Sequence, residues 1–330
     1  MAENKKTKAA FIIVGWNNRK LLKDCFDSID KQTYPHKQII YVDNNSSDGS
    51  AEWVNQHFPD AIVLTQRKNT GFAKGNNIGI KEALKDSTVG YVVLLNTDAR
   101  LDPEWTEKII EFATLKPNGA GFQGTTLDYH KREVVDSTHI YVSHNGQGTQ
   151  GNWRYYYNGE LGPRKVFGVN AAVCLITRHF IEAQPFGGEL FDERMYMYLE
   201  DIDLAARSTV MGWDNYLVPG ARAYHMGSVS ASSKSSTYSL YMTFRNNSSV
   251  LFKNFPFRIL LRMMPKIIRG DIDTIRTLWR REQKSAIWQV VKGRVIGTLR
   301  LPLFVAKKYR MRQHRKIDND YLWVLMRNGY

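Results

Sequence analysis

Two groups of carboxylates in this sequence have the residue types and setting to do chemistry. Asp98 follows an apolar run in LLNTDA (94–99), and Glu200, Asp201 and Asp203 fall together in YLEDIDLAAR. Because a lone buried charge is costly, an acid at the end of a buried strand predicts a partner such as a divalent cation with a diphosphate. Adjacent acids among aromatic and Met residues predict at least one raised pKa, as a general base requires.

The spacing within the second group of carboxylates separates a structural acid from a working one. Arg207 lies four residues after Asp203, one helical turn away, so the two side chains are expected to pair. Asp203 is then the structural acid and Asp201 the working one. The alternative is that the whole run is a solvated acidic helix face.

Two other polar segments could bind a nucleotide. Asp43 opens VDNNSSDGS at the end of an apolar run, where its carboxylate could accept from a pyrimidine imide or a ribose hydroxyl; an Asx-type turn is the alternative. The segment GFAKGNNIG (71–79) has glycines at a predicted helix start but is neither GxGxxG nor a P-loop. It favours an anionic group at the helix N-terminus, and a tight loop is the alternative.

His225, in ARAYHMGSVS, is a further candidate. Neutral imidazole is a good ligand for a transition metal such as Mn²⁺, and a second ligand beside Asp98 would be useful. A satisfied structural histidine is the alternative.

The elements that must position these residues alternate along the first hundred positions. Strands are predicted over 9–16, 38–43, 61–66 and 89–96, and helices over 19–32, 50–58, 71–85 and 102–114, the last with Asp102 as N-cap. This alternation predicts a mostly parallel sheet with helices on both faces, whose ligands bind at the carboxyl ends of the strands. Further on, a strand is predicted over 166–178, a helix over 195–212, and helices beyond about 238.

The charge is concentrated at one end of the chain. Residues 253–330 hold 19 Lys and Arg against five Asp and Glu, while residues 1–252 are balanced. Bulky aliphatic residues interleave with this charge, as in helices that lie on anionic lipid. A helical bundle with a solvated basic face is the alternative. Nucleic acid is not expected, because the segment has no recognisable module and few aromatics.

The compartment follows from what the sequence lacks. No stretch reaches the length of a membrane span, and the N-terminal apolar run is too short for a secretory signal. Two distant cysteines, Cys25 and Cys174, are expected to be free thiols. A cytoplasmic protein, peripheral on the inner face of the cell membrane, is expected.

Seven motifs occur in an order that resembles a known family. They are VGWNN, VDNNSSDGS, NTGFAKGNNIG, LLNTDA, FDERMYMYLEDIDLAAR, AYHMGS and YMTFRNN, within residues 8–255. The sequence resembles the family 2 glycosyltransferases of GT-A fold, in particular bacterial rhamnosyltransferase-like members of cell-surface polysaccharide assembly. The resemblance implies a Rossmann-like sheet in a catalytic domain over 1–252. Within it, nucleotide-sugar binding is expected over about 8–115 and acceptor binding over about 116–252. Residues 253–330 would form a basic helical membrane-associating region.

The same resemblance assigns site residues. Val14, Asn17 and Asp43 would hold the base and ribose, and Arg67, Gly71, Lys74, Asn76 and Asn77 would line the nucleotide and diphosphate. Asn96, Thr97 and Asp98 stand where the family has its Asp-x-Asp metal motif; since the first acid is Asn here, Asp98 would be the main carboxylate ligand, with His225 adding a metal or diphosphate contact. Asp201 would be the general base, with Glu200 and Arg207 supporting it and positioning the acceptor.

The expected function is an inverting transfer that depends on Mn²⁺ or Mg²⁺. The expected donor is dTDP-L-rhamnose and the acceptor a lipid-linked or growing surface glycan; a UDP-hexose or UDP-N-acetylhexosamine is the alternative donor. A nucleotidyltransferase and a non-catalytic membrane scaffold are alternatives from other classes. The segment GWNNRK after the first strand argues against the former, since it is not a Gly-rich loop. A homo-oligomer is possible.

Overall fold

The structure is a computed structural model that describes residues 7–159, 161–227 and 233–328, with the side chains of 233–236 and 327–328 excluded. Ser228 of the AYHMGS motif lies outside this part of the chain. The strands are β1 (Lys8–Gly15), β2 (Lys37–Asp43), β3 (Ile62–Thr65), β4 (Val89–Leu95), β5 (Ala99–Leu101), β6 (Gly119–Asp128), β7 (Val135–Ser137), β8 (Ile140–Val142), β9 (Gly148–Gln150), β10 (Arg164–Val166), β11 (Val173–Thr177) and β12 (Asp214–His225).

Helices separate and follow these strands. They are α1 (Arg19–Asp30), α2 (Ser50–His57), α3 (Gly71–Ala83), α4 (Trp105–Thr114), α5 (Arg178–Glu182), α6 (Glu200–Val210), α7 (Ser233–Asn254), α8 (Phe257–Arg280), α9 (Lys284–Leu299), α10 (Val305–His314) and α11 (Asn319–Asn328). Short 3-10 turns cover Glu193–Met195 and Leu301–Phe304.

The central sheet has the order β10-β12-β6-β11-β4-β1-β2-β3. Strands β1 to β4, β6 and β12 run in one direction, and β10 and β11 run against them. The predicted mostly parallel sheet is confirmed. Its parallel half is buried on both faces, which explains the continuous apolar runs of these strands. In β1, Phe11 and Ile13 pack into one core while Ala10 and Ile12 pack into the core on the other face.

One edge of the sheet gathers the polar strand ends. Asp43 ends β2 beside Gly15 at the end of β1, and Asp98 follows β4. The short strand β5, which the sequence analysis did not predict, pairs with the end of β12 and sets Ala99 opposite His225. The structure thereby brings Asp98 and His225, far apart in sequence, to the same place.

Three predicted elements differ in the structure. The helix expected from residue 102 begins at Trp105, and the Asp102 side chain is no cap, since it accepts from Arg222 Nε at 3.0 Å. The strand expected over 166–178 is divided, because Asn170 Oδ1 accepts from the Ala172 amide and forms a turn there. The helix expected over 195–212 begins only at Glu200, for a backbone reason given below.

The C-terminal helices share a core with the rest of the chain. Ile140 of β8, Ile202 of α6, Val250 of α7 and Met326 of α11 are all buried members of one cluster. The boundary expected between residues 252 and 253 falls inside α7. The basic region therefore packs against α6, the helix that begins with Glu200 and Asp201.

A fully buried group of charges joins these parts. Lys253 Nζ lies 2.8 Å from carboxylate oxygens of both Asp192 and Asp203, and Arg207 Nε lies 3.0 Å from Asp203. Lys307 adds a contact of 2.9 Å to Asp192. Burial by itself raises the pKa of Asp192, but Lys253 and Lys307 outweigh it and hold that pKa well below its usual range. The sequence prediction that Asp203 pairs with Arg207 agrees with this geometry.

The substitution Lys253→Met is expected to lower the free energy of unfolding by about 3–5 kcal/mol, because it leaves two buried carboxylates without their shared cation. Urea denaturation followed by circular dichroism measures the change. The control is Lys85→Met, which removes a surface pair with Glu82 whose lysine is 66% exposed and should cost less than about 1 kcal/mol. Equal effects of the two substitutions would contradict the role given to Lys253.

Candidate active site

Two cavities open at the strand-end edge of the sheet and meet at Asp98. The larger has a volume of about 820 Å³ and the smaller about 700 Å³. Phe72, Asn96 and Asp98 line both of them. A ligand with two parts could therefore place one part in each cavity and its junction at Asp98.

The smaller cavity is built from the loop between β1 and α1. Its lining comprises Val14, Asn17, Asn18, Arg19, Lys20, Leu21 and Asp48, with Thr97 beside the shared residues. Asn17 has a left-handed backbone (φ 53°), and its side-chain oxygen accepts from the Ser47 amide at 2.8 Å. Arg19 lies over the Trp53 ring at 4.5 Å. Basic side chains in the first turn of a helix suit an anionic group such as a diphosphate.

Asp43 lies beside this cavity with an unused acceptor. The residue is buried (1% exposed), and its Oδ2 accepts from the Ser46 amide at 3.1 Å. In the described part of the chain, its Oδ1 is buried without a hydrogen-bond partner. An orphaned buried acceptor is costly to leave unpaired. It fits the imide N–H or ribose hydroxyl proposed from the sequence.

Asp98 faces His225 across the edge of the sheet. Asp98 Oδ1 lies 3.3 Å from His225 Nε2, and Asp136 Oδ2 lies 3.0 Å from His225 Nδ1. Burial lowers the pKa of His225, but hydrogen bonds and charge from Asp136 and Asp98 outweigh it and raise that pKa to about 10. Both carboxylates are mostly shielded from solvent.

The donor pair Asp98 and His225 fits a divalent metal. Neighbouring ligands of an octahedral ion with bonds near 2.1 Å are roughly 3 Å apart, and the two facing atoms are 3.3 Å apart. A carboxylate with an imidazole suits Mn²⁺. No group of three His, Cys, Asp or Glu side chains with metal-site geometry occurs in the described residues, so diphosphate oxygens and water would supply the other ligands.

Glu200 and Asp201 lie in the larger cavity, at the start of α6. Burial raises the pKa of both carboxyls, and the neighbouring Asp201 charge raises that of Glu200 further. Asp201 Oδ1 accepts from the Ile202 amide at 2.7 Å, while Glu200 Oε2 is buried without a partner among the described residues. Carboxylates with raised pKa values in a cavity are candidates for proton transfer.

A strained segment holds these acids in place. Tyr196, Tyr198 and Leu199 all have φ between 66° and 68°, a conformation that costs side-chain-bearing residues free energy. This is why α6 begins at Glu200. Asn246 of α7 offsets the strain, since its Nδ2 lies within 3.0 Å of three carbonyl oxygens of the segment.

Seven of the predicted site residues line neither cavity. Asp43 lies beside the smaller one, and Arg67 and Lys74 are exposed, with Lys74 paired to Glu193 at 3.2 Å. The remaining four are Gly71, Asn76, Asn77 and Arg207.

Those four make internal contacts, and their expected roles at the substrates stay predictions. Gly71 has φ 81° and would clash with Tyr196 if it carried a Cβ. Asn76 donates to Phe72 O, and Asn77 exchanges hydrogen bonds with the Phe191 backbone. Arg207 is fully buried and bonds to Asp203, Gln184 and Leu190 O. The glycine-rich motif thus serves packing of α3 against the segment before α6.

Several lining residues were missed by the sequence analysis. Arg19, Lys20 and Asp48 lie in or beside the quoted motifs, so their charge was a usable signal. The larger cavity is also lined by the β8–β9 region, through Trp153, which is 52% exposed, and the amide side chains of Gln147 and Gln150. That region lies outside the seven motifs that carry the resemblance, so nothing assigned it to the cavity.

Solved structures with a similar fold are glycosyltransferases. S. aureus TarS in complex with UDP matches with a TM-score of 0.56 at 12% identity, covering 93% of this chain and 89% of that one. GalNAc-T7 with UDP, GalNAc and Mn²⁺ matches with a TM-score of 0.58 at 14% identity, covering 76% of this chain and 48% of that one. At such identities the likeness shows the fold alone, which is the expected GT-A fold.

The sequence itself places the chain in a family. The model of glycosyl transferase family 2 matches residues 10–174, half of the chain, and the chain belongs to that family. It is 27% identical over 205 residues to N-acetylglucosaminyl-diphospho-decaprenol L-rhamnosyltransferase of Mycobacterium tuberculosis, covering 57% of this chain and 66% of the relative. It is 28% identical over 127 residues to the putative teichuronic acid biosynthesis glycosyltransferase TuaG of Bacillus subtilis, covering 38% and 49%. The chain thus spans less than two thirds of either relative.

Proposed function

We propose that the protein is an inverting glycosyltransferase of bacterial cell-surface glycan synthesis, using a nucleotide-activated sugar. One observation carries the proposal: Asp98 lies at the junction of two cavities, one lined by the basic β1–α1 loop and the other by Glu200 and Asp201. The nucleotide would occupy the smaller cavity and the acceptor the larger, so the transferred sugar lies between them.

The residues divide the work of the transfer. Asp201 takes the proton of the acceptor hydroxyl as that oxygen attacks the anomeric carbon from the side opposite the leaving group, which inverts its configuration. Glu200, with its raised pKa, keeps a proton near neutral pH and limits the charge beside Asp201. A divalent cation, when bound by Asp98 and His225, would stabilise the charge on the departing nucleoside diphosphate. Arg19 and Lys20 add positive charge on the same side.

The donor is proposed to be dTDP-L-rhamnose. The support is the mycobacterial relative, whose name specifies L-rhamnosyl transfer. A UDP-hexose or UDP-N-acetylhexosamine is the second candidate, because both structural neighbours are complexes with UDP. The orphaned Asp43 oxygen could accept from the imide of thymine or uracil alike, so it does not decide between them.

The acceptor is proposed to be lipid-linked or a growing glycan, reached from the membrane surface. None of the described helices is long and apolar enough to cross a bilayer. Instead, α8 and α9 each expose an apolar stripe with helical spacing, in addition to their buried faces. The stripes are Phe257, Leu261, Met264, Ile268 and Ile272 on α8, and Trp288, Val291, Val295 and Leu299 on α9.

Basic residues accompany these stripes, which favours anionic lipid as the partner. Arg258, Lys266 and Arg269 alternate with the apolar positions of α8. Not all of the basic charge faces outward, since Lys253 and Lys307 are used in the buried ion cluster. Because the region shares a core with α6, deleting it would disrupt the fold, and substitutions at the surface are the better test.

The donor is tested by metal-dependent release of nucleoside diphosphate from a panel of nucleotide sugars, together with calorimetric binding of dTDP and UDP. We expect turnover with dTDP-L-rhamnose and tighter binding of dTDP than of UDP. Turnover with UDP-sugars alone would assign the second donor. Turnover with none of the panel would contradict the proposed function.

The substitution Asp201→Asn is expected to lower kcat about 10²–10⁴-fold, the usual contribution of a general base, while nucleoside diphosphate binds as before. The pKa of Asp201 is raised to about 6, and a base works only when deprotonated. The rate of the wild-type protein should therefore fall as the pH falls through about 6. Discontinuous activity assays from pH 5 to 8 measure this fall in rate. The control Asp214→Asn, at the opposite end of β12 from His225, should keep wild-type activity, and unchanged turnover in Asp201→Asn would refute the assignment.

Membrane binding is tested by the triple variant Leu261→Gln, Ile268→Gln, Trp288→Gln. All three side chains are more than half exposed, so the fold should survive. Loss of their insertion should weaken binding to phosphatidylglycerol-containing vesicles at least tenfold, because each buried side chain contributes about 1.5 kcal/mol or more.

Co-sedimentation measures the binding, and Leu115→Gln on the catalytic body, 70% exposed, is the control. Undiminished vesicle binding by the triple variant would contradict the membrane surface. If that result came with loss of a dimer in analytical ultracentrifugation, the stripes would instead be a contact between two copies of the chain.

A further inference from the structure

We propose that Asp136 is a positioning residue that orients His225 as a metal ligand. This inference rests on the proposed function, because it concerns the same site, but no sequence motif pointed to Asp136. Its Oδ2 lies 3.0 Å from His225 Nδ1, while His225 Nε2 faces Asp98 at 3.3 Å. The three side chains form a line with the imidazole in the middle.

The hydrogen bond to Asp136 determines which nitrogen of the His225 imidazole can bind a metal. A neutral histidine has one N–H and one nitrogen lone pair, and the partner of the N–H decides which nitrogen can bind a metal. Because Nδ1–H donates to Asp136, Nε2 is the nitrogen that would give up its proton to a bound cation and present a lone pair to it. That nitrogen is the one that points to Asp98 and the cavity junction. A carboxylate behind a ligating histidine also raises its basicity and holds its ring plane.

The fold holds Asp136 rigidly in this place. It lies in β7 between Val135 and Ser137, which are both buried. Val135 pairs with Leu127 of β6, and Leu127 pairs with Tyr224 of β12, the residue before His225. Leu127, Val135 and Tyr224 form a small core of their own. Three adjacent strands therefore set the distance between the Asp136 carboxylate and the ring.

The hydrogen bond between Asp136 and His225 is strengthened by its shielding from solvent. The side chains of Asp136 and His225 are 14% and 13% exposed, so water competes little for the hydrogen bond. Loss of such an outer partner typically weakens metal binding 10–100-fold. A side chain that merely stabilised the hairpin would not change metal affinity through His225, and this difference can be measured.

The experiment titrates Mn²⁺ into the full-length protein with UDP and, separately, dTDP, and follows free Mn²⁺ by electron paramagnetic resonance. Asp136→Ala should weaken Mn²⁺ binding 10–100-fold, and Asp136→Asn less, because its amide oxygen can still accept from Nδ1–H. In the His225→Ala background, Asp136→Ala should add less than a twofold effect. Imidazole ¹⁵N shifts should show the Nδ1–H tautomer of His225 in the metal-loaded wild type and a mixture in Asp136→Ala. Asp102→Asn, which removes the carboxylate that pairs with Arg222 of strand β12, is the control and should bind Mn²⁺ as the wild type does.

Two results with the variants would overturn the inference. One is Mn²⁺ affinity in Asp136→Ala within twofold of the wild type, and the other is an equal loss with and without His225. A wild-type protein that transfers sugar but binds no Mn²⁺ in the presence of either nucleotide would overturn it too, and would leave the glycosyl-transfer proposal standing. A protein that binds Mn²⁺ as described but transfers no sugar would instead contradict the proposed function alone.

Discussion

The position of Lys253 between two buried carboxylates is the constraint on which much of the structure depends. Asp192 precedes the strained segment, and Asp203 lies one turn into α6. Neutralising both carboxylates therefore fixes the backbone segment that contains Asp201 at both of its ends. A buried acid without a cation would be protonated or exposed to water, and either change would weaken the hold on this backbone segment. The cation comes from α7, outside the part of the chain that the family model matches. The C-terminal helices thus support α6, which carries the proposed base Asp201, directly.

A second organising feature is the meeting of the two cavities at Asp98. The proposed transfer needs different chemistry on the two sides of the sugar. Negative charge must be stabilised at the leaving group, and a proton must be removed from the acceptor hydroxyl. The fold separates these tasks by placing Asp98 after β4, at the junction of the cavities, and Asp201 at the start of α6, in the larger cavity. The left-handed residues before α6 are the cost of aiming Glu200 and Asp201 into the cavity, and Asn246 offsets part of it.

Much of this could be predicted from the sequence, and the limits have physical causes. Strand and helix alternation over the first hundred residues was readable because β1 and β4 are buried on both faces and their helices are amphipathic. Helix α6 was placed too early because three left-handed residues between positions 196 and 199 are stabilised by tertiary contacts from Asn246, which no local pattern reveals. Asn76 and Asn77 looked like ligand residues, but their partners are backbone groups of α3 and of residue 191. Asp136 had no motif around it, since only the pairing of β7, β6 and β12 brings it to His225.

The shared core of α6 and the last helices has a consequence for how the chain matures. Lys307 and Met326 are synthesised long after α6, yet they complete the surroundings of Asp192 and α6. Until then, Asp192 lacks one of its two cations and the apolar side of α6 lacks part of its cover. The contacts that complete the packing around α6 therefore join residues far apart in sequence, which slows folding relative to a chain with local contacts. A nascent chain can build the parallel half of its sheet early, but the surroundings of α6 are complete only after Lys307 and Met326 have been synthesised.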